Sequence, residues 1–228
     1  ERLAIPIEQH VGSPARPVVN VGDQVLKGQV IAKPDRQLGA PVHASSSGTV
    51  VAIDQRPVSR RLGEKAPCIV IECDGNDSAS PEIAVADYSK LEPDELLLRI
   101  LDGGIVGLGG AVFPTAQKLM QARTSKIDYL ILNGVECEPY ISCDDVLMRE
   151  CAADVLSGAQ ILMHALQIDT CLIAVESDKP EAILRLGDAL ADPTRHESRS
   201  TESRTANRCG LRGSECRHGG RRSRLDSE

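Results

Sequence analysis

A change of hydrophobic pattern near residue 80 divides this sequence into two parts of different fold class. Short runs of apolar and β-branched residues separated by Gly and Pro predict strands of a small barrel or sandwich at 17–21, 29–32, 48–53 and 68–72. The following part instead alternates buried-strand patterns, at 127–133 and 170–176, with helical patterns at 92–101, 114–123, 144–166 and 179–190. Such alternation is typical of βαβ units and a parallel sheet. We therefore expect an α/β chain with a small all-β domain at 1–76, a linker at 77–90 and an incomplete α/β domain at 91–194.

Two segments of the N-terminal part, residues 21–31 and 41–51, look like the halves of a biotinyl/lipoyl-type hammerhead, also called a barrel-sandwich hybrid. A swinging-arm carrier of this type needs a Lys at the hairpin tip between the halves. The tip would fall at 35–40, which contains no Lys, and Lys33 lies before it at the end of a predicted strand. We interpret the domain as a docking or scaffold module, with a prosthetic-group carrier as the alternative.

The composition excludes two classes of partner. Aromatic residues make up 2% of the 228 residues and the formal net charge is -7, which argues against a stacking platform for single-stranded nucleic acid. No apolar run approaches the roughly 20 residues that a membrane-spanning helix needs, so we expect no direct membrane insertion. A role at a membrane would then depend on protein partners.

The last residues differ from the rest of the chain. Residues 195–228 contain nine Arg, no Lys and few apolar side chains, so we expect a disordered basic tail there. A basic tail could bind nucleic acid or a membrane surface, and a reading-frame change is an alternative origin for its composition. Since the sequence begins with Glu and not Met, we interpret it as a fragment.

Cysteine and histidine spacing predicts no metal site and no catalytic residue. The eight Cys residues form no C-x-x-C pair, the closest pair being Cys68 and Cys73, and we expect reduced thiols in a cytoplasmic protein. The three histidines of the folded part form no His-x-x-x-His or His-Asp pair. We interpret them as surface or packing residues, and we likewise expect packing roles for three cysteines: Cys137, Cys143 and Cys151.

A glycine-rich segment at 103–118 is the first candidate binding site. Closely spaced glycines let a backbone approach a flat or phosphorylated ligand, and three of them precede a predicted helix: Gly107, Gly109 and Gly110. The free N–H groups of that helix, which begins at Pro114, would point at the loop, and Lys118 would add a cation. The same glycine spacing also occurs in plain tight turns.

A second candidate segment, residues 132–140, directly follows a predicted buried strand. Asn133, Glu136 and Glu138 would lie at the carboxyl end of this strand, where open α/β sheets bind ligands. An Asn can pair with the edge of a heterocycle, and carboxylates can accept hydrogen bonds from ribose or ribityl hydroxyls. The alternative is that both Glu residues are solvated loop charges.

Together, GIVGLGGAVFPTAQKL at 104–119 and NGVECEPYISCDDVLM at 133–148 resemble the RnfC family, a subunit of the Rnf ion-translocating electron transport complex, and more distantly the flavoprotein subunit of respiratory complex I. The resemblance covers about residues 1–192. It implies a peripheral subunit at the cytoplasmic face of the bacterial inner membrane, bound to the other subunits of a membrane electron transport complex. Such a subunit takes electrons from NADH through FMN to two [4Fe-4S] clusters.

The resemblance also implies roles for individual residues. Gly107, Gly109, Gly110 and Lys118 would contact FMN, and Asn133 and Glu136 would reach its ring or ribityl chain. Phe113 would lie near the NADH adenine and Glu138 near the nicotinamide.

The sequence departs from the family at three points. Val112 replaces a Gly and Val135 replaces an Asp of the complex I pattern, and the C-x-x-C cluster motifs are absent from this chain. We therefore expect the chain to be inactive by itself. The alternative function is a non-catalytic assembly or docking module that has kept the fold and lost the flavin.

Overall fold

The computed structural model describes residues 1–34, 38–59, 63–81, 87–108, 111–136, 138 and 140–191, and the backbone of 208–214. The chain forms two compact units, residues 1–126 and 127–228. Helices that we expected in the second domain therefore belong to the first unit. The predicted boundaries of the domains remain predictions.

The first unit begins with a small all-β barrel-sandwich, which confirms the predicted fold class. An antiparallel four-stranded sheet has the order β1-β7-β6-β3, and an antiparallel three-stranded sheet has the order β2-β4-β5. The strands are β1 (Arg2–Pro6), β2 (Ala15–Pro17), β3 (Gln24–Val25), β4 (Val30–Pro34), β5 (Val42–His43), β6 (Gly48–Pro57) and β7 (Lys65–Cys73). Aliphatic side chains from both sheets fill the core, among them Ile5, Ile31, Val50, Ile69 and Ile71.

Three of the four strands predicted in this domain are present, but the segment 17–21 is not a strand beyond Pro17. Val18 still donates its N–H to the Ile31 carbonyl at 2.9 Å, so one ladder-like bond extends past the end of β2. The tip of the hairpin at 35–37, where a carrier would place its Lys, lies outside the described residues.

Two helices complete the first unit: α1 (Pro93–Asp102) and α2 (Thr115–Thr124). A short 3-10 turn (Tyr88–Lys90) precedes them. Pro93 occupies the first turn of α1, where its missing N–H costs nothing, and Asp94 and Glu95 add negative charge at the positive end of the helix. The Arg123 guanidinium of α2 donates to the Asp94 carboxylate of α1, which ties the two helices together.

The second unit is an α/β layer around a parallel sheet with the order β10-β9-β8. Its elements are β8 (Leu130–Gly134), α3 (Cys143–Glu150), α4 (Ala152–Leu166), β9 (Thr170–Glu176), α5 (Pro180–Ala191) and β10 (Arg208–Ser214). Alternate residues of β9 are buried, as a strand with one face in the core requires. They pack against Met148 of α3, Leu156 of α4 and Leu186 of α5: Cys171, Ile173 and Val175.

The helix predicted at 144–166 is divided into α3 and α4 at Cys151. This residue has φ -125° and ψ 31°, its N–H bonds the Leu147 carbonyl, and its own carbonyl accepts from Asp154 and Val155. Cys151 thus ends one helix and begins the next. Neither Gly nor Pro marks this break in the sequence.

The strand β10 differs from the disorder expected for residues 195–228. Its seven residues pair in parallel with β9, Arg208 opposite Thr170 and Ser214 opposite Glu176. The outer edge of β9 offers backbone N–H and C=O groups, and strand pairing through the backbone does not require an apolar sequence. The other residues of the tail lie outside the described residues.

Among the described residues, no helix has the length and apolar character that crossing a bilayer requires.

Candidate functional site

The glycine-rich segment forms a loop that is closed at its base. Gly107 donates its N–H to the Phe113 carbonyl at 2.9 Å, and Thr115 donates to the Ile105 carbonyl at 2.9 Å. Val106 and Pro114 form an antiparallel bridge at the same place. The bonds hold the two ends of the loop together, so α2 begins where the loop returns.

Gly107 has open space where a side chain would lie. A Cβ built on this residue would meet no atom closer than the Phe113 carbonyl oxygen, at 3.8 Å. The packing of the chain therefore does not explain a glycine at this position, and the open face is suited to the close approach of a flat ligand. Leu108 beside it is 90% exposed. Gly109 and Gly110 lie outside the described residues.

The N-terminus of α2 faces this loop without a side-chain cap. Pro114 is the N-cap residue and makes no capping hydrogen bond. Helix N-termini of this kind attract anions because backbone N–H groups and the helix dipole act together. Lys118, one turn into α2, is exposed and makes no ion pair within the described part of the chain. The first turn of α2 and the Lys118 ammonium fit a phosphate group, and the space beside Gly107 fits a ring system, so these residues suit FMN.

Phe113 is half-buried and contributes its carbonyl to the base of the loop. Its neighbour Val112 has φ +46°, a left-handed conformation that β-branched residues rarely adopt. The sequence shows only that Val112 replaces a Gly of the complex I pattern. The structure shows that the backbone conformation which favours Gly is kept.

The second candidate segment follows β8, in the second unit. Asn133 is exposed, and its Oδ1 accepts from the Val135 N–H at 3.3 Å, which turns the chain as it leaves the strand. Glu138 is also exposed, and its carbonyl accepts the Ile141 N–H at 3.2 Å. Both side chains are thus accessible at the carboxyl end of β8, as the sequence predicted.

Glu136 is used differently from Asn133 and Glu138. It is 9% exposed, and its carboxylate accepts from the Cys143 thiol at 3.1 Å, the Asp144 N–H at 3.1 Å and the Asp145 N–H at 3.4 Å. Burial alone would raise the pKa of this carboxyl, but the hydrogen bonds outweigh it and hold the pKa below its usual range. Glu136 therefore caps α3.

Glu176 is a site residue that the sequence reasoning missed. Its Oε2 accepts the Glu136 N–H at 3.4 Å, which links the carboxyl end of β9 to the loop after β8. The signal was present, because Glu176 is the last residue of the predicted strand at 170–176. The carboxyl ends of neighbouring parallel strands lie at the same edge of a sheet.

The thiol of Cys143 is exposed, so this residue is not the packing residue that we expected. Its bond to the Glu136 carboxylate raises the pKa of the thiol. Ligand atoms of Glu136, Cys143 and Asp144 lie within 4.8 Å of one another, but the bonds among them form a helix cap. Cys151 is half-buried at the α3–α4 break, and Cys137 lies outside the described residues.

Comparisons with protein families divide the chain in the same order. Residues 1–76 match the RnfC barrel sandwich hybrid domain, and residues 100–212 match the Nuo51 FMN-binding domain. The second match includes the glycine-rich loop, the loop after β8 and most of β10.

Curated relatives include the RnfC-type subunit of the ion-translocating oxidoreductase complex of Pseudomonas aeruginosa, 48% identical over 206 residues. The corresponding subunit of Haemophilus influenzae strain PittEE is 44% identical over 186 residues. These alignments cover 87% and 82% of this chain, but the chain spans only 27% and 28% of the length of those relatives.

Among solved structures, the NAD+-reducing [NiFe]-hydrogenase in the H2-reduced state matches 56% of this chain and 22% of its own chain. The TM-score is 0.51 and the identity 22%, a likeness of fold. The barrel-sandwich domain, the FMN-binding domain after it and the 48% identity agree with one another. This chain belongs to the RnfC family of the Rnf ion-translocating oxidoreductase complex.

Proposed function

We propose that this chain forms the FMN-binding part of an electron transport subunit that receives electrons from NADH. The observation that supports this most is the grouping of Gly107, the uncapped first turn of α2 and Lys118 within a match to an FMN-binding domain. When bound, FMN would supply the conversion between two-electron hydride chemistry and single-electron transfer.

The residues of the first unit would hold the cofactor by its two ends. The N–H groups at the start of α2 and the Lys118 ammonium would bind the phosphate. The open face at Gly107 would accept the ring, with Gly109 and Gly110 continuing that surface as the family motif predicts. Phe113, at the base of the loop, is proposed to lie near the NADH adenine.

The residues of the second unit have separate proposed roles. Asn133 and Glu138 are accessible, and we propose that they contact the flavin and the nicotinamide, on the strength of the family motif. For Glu136 we propose a contribution through its cap on α3, which shapes the loop that carries Glu138. The proposed Glu136 contact with FMN stands on the motif alone.

The whole subunit would work within a complex. Electrons would pass to two [4Fe-4S] clusters whose ligands are not in this sequence, and the other subunits would hold the protein at the cytoplasmic face of the bacterial inner membrane. These statements rest on the relatives, whose names describe an ion-translocating oxidoreductase complex.

Titration of the chain with FMN and with riboflavin tests the phosphate assignment, because the two ligands differ only in the phosphate. Lys118→Ala should weaken FMN binding by about 1.5 to 3 kcal/mol, the range for a charge-assisted hydrogen bond, and leave riboflavin binding unchanged. Lys126→Ala, an exposed Lys beyond the other end of α2, serves as the control and should bind both ligands like the parent. Equal FMN affinity of Lys118→Ala and the parent would overturn the assignment. A parent chain that binds neither ligand would favour the assembly-module alternative.

A further inference from the structure

Val112 is in a backbone conformation that needs support from its surroundings. A Val at φ +46° is strained, and strained residues persist only where the surrounding contacts determine their conformation. The base of the loop holds Gly107 and Phe113, but neither bond involves the groups of Val112 itself. The bond that does involve Val112 comes from the barrel, where the Val11 N–H donates to the Val112 carbonyl at 3.2 Å.

Val11 is itself fixed to the barrel. The Nδ1 of His10 lies 3.1 Å from the Val11 carbonyl oxygen, and the Ala40 N–H donates to the His10 Nε2 at 3.0 Å. With its hydrogen on Nδ1, the neutral imidazole makes both bonds. Ala40 is 2% exposed, so the support for Val11 begins in the barrel core.

The residue after Val11 strengthens this attachment. Gly12 has φ +112°, and a Cβ on it would lie 2.6 Å from the Leu38 carbonyl oxygen. Only a glycine permits the backbones to approach so closely. Ser13 then donates its N–H to the same carbonyl at 3.0 Å. The segment 10–13 is thereby held against residues 38–40.

The barrel also holds the start of the glycine-rich segment. The His43 Nε2 donates to the carbonyl of Asp102, the last residue of α1, at 2.9 Å. Gly104, at φ +64°, packs so closely that a Cβ would lie 2.6 Å from the Pro41 carbonyl oxygen and 3.0 Å from the His43 ring. The barrel segment 38–43 therefore supports the loop at two places, directly at Asp102–Gly104 and through Val11 at Val112.

We propose that the barrel-sandwich domain positions the FMN-binding loop, and that the Val11–Val112 hydrogen bond keeps Val112 in its left-handed conformation. This inference rests on the proposed function of the loop. Val11 and His10 are positioning residues in it, since they act through the loop backbone. It assigns the barrel a task within the same chain, in addition to any docking role.

A double-mutant cycle on the 228-residue chain tests the proposal. Val11→Pro removes the N–H donor and should weaken FMN binding about 3- to 10-fold, the effect of one lost hydrogen bond. Val112→Gly should bind FMN within about twofold of the parent, because Gly adopts positive φ without strain. In the Val112→Gly background, Val11→Pro should therefore have less than half of its effect, expressed as free energy. Val11→Ala keeps the N–H and is the matched control, expected to behave like the parent. An equal loss in both backgrounds, or no loss in either, would overturn the proposal.

A measurement without FMN separates this proposal from the proposed function. Hydrogen exchange of the Gly107 amide, which bonds the Phe113 carbonyl, should become several-fold faster in Val11→Pro and return toward the parent rate when Val112→Gly is added. If this coupling is present but the parent binds no FMN, the positioning stands and the proposed function fails. If the parent binds FMN but exchange is unchanged by Val11→Pro, the positioning is refuted and the function stands.

His10→Phe provides a second route should Val11→Pro fail to fold. It removes both imidazole hydrogen bonds and leaves the Val11 N–H in place. It should accelerate exchange at Gly107 and weaken FMN binding in the same direction, with the effect again reduced by Val112→Gly. Parent-like exchange and affinity in a folded His10→Phe variant would contradict the proposal.

Discussion

At the scale of single residues, Glu136 shows how a motif residue can serve structure first. A carboxylate after a strand in a flavin-type motif indicates a ligand contact, yet its oxygens accept bonds from two N–H groups and a thiol at the start of α3. Carboxylates at helix N-termini satisfy N–H groups that lack partners within the helix, and they interact favourably with the helix dipole. The conformation of the Glu138 loop depends on this cap, because the segment between Glu138 and α3 is short.

The pH dependence of stability should reveal the Glu136 cap. Because the folded-state pKa is lowered, the carboxylate stabilises the fold fully above the ordinary glutamate value of 4.5, and this contribution disappears as the pH falls through the lower folded-state pKa. Glu136→Gln should therefore unfold at lower urea concentration than the parent near pH 7, and the difference should close in acid. Urea midpoints from pH 7 downward measure the gap. Glu138→Gln, an exposed neighbour, should show no such gap, and a gap for Glu136→Gln that is the same at every pH would refute the charged cap.

At the scale of elements, the glycine-rich segment contains two kinds of glycine that look alike in sequence. Gly104 has positive φ and packs against the barrel, so protein structure explains it. Gly107 has open space beside it, and the chain itself gives no reason for a glycine. A structural glycine and a ligand glycine should respond differently to the same substitution.

Gly104→Ala and Gly107→Ala form the corresponding test. Gly104→Ala should lower the free energy of unfolding without any ligand, by about 1–2 kcal/mol from the left-handed backbone alone, with a further cost from the contact to the Pro41 carbonyl. Gly107→Ala should leave ligand-free stability within about 0.5 kcal/mol of the parent, since the new methyl group meets only open space. The same Gly107→Ala chain should bind FMN more weakly. Unchanged FMN affinity in Gly107→Ala would remove this residue from the proposed site, and unchanged stability in Gly104→Ala would contradict the close packing on the barrel.

At the scale of the whole molecule, sequence patterns predicted the elements that bury long runs of apolar residues. The strand at 170–176 coincides with β9 at both ends because alternate residues are buried, and the helix at 92–101 is shifted by one residue from α1. Short strands were not predictable, since Gln24–Val25 and Val42–His43 are too short to show a period and depend on pairing with distant strands. The break at Cys151 and the left-handed Val112 were missed because the local residues do not demand them. The tertiary contacts of α3, α4 and the barrel decide these conformations.

The two apolar cores make a prediction about unfolding of the molecule. Ile69 lies in the barrel core and Ile173 in the core of the second unit, and the buried side chains form separate clusters. Truncation of a buried Ile costs about 2–5 kcal/mol, because it loses transfer free energy and leaves a cavity. Ile69→Ala should therefore destabilise the barrel, and Ile173→Ala the parallel sheet, each lowering the temperature at which its own unit loses amide protection. Ile131→Ala, on a 63% exposed side chain of β8, is the control and should change either unit by less than about 0.5 kcal/mol. Hydrogen exchange resolved by segment during thermal unfolding reports on the units separately. Equal loss of protection in both units from either core substitution would mean that the chain unfolds as one cooperative domain, and the division at residues 126 and 127 would have no energetic counterpart.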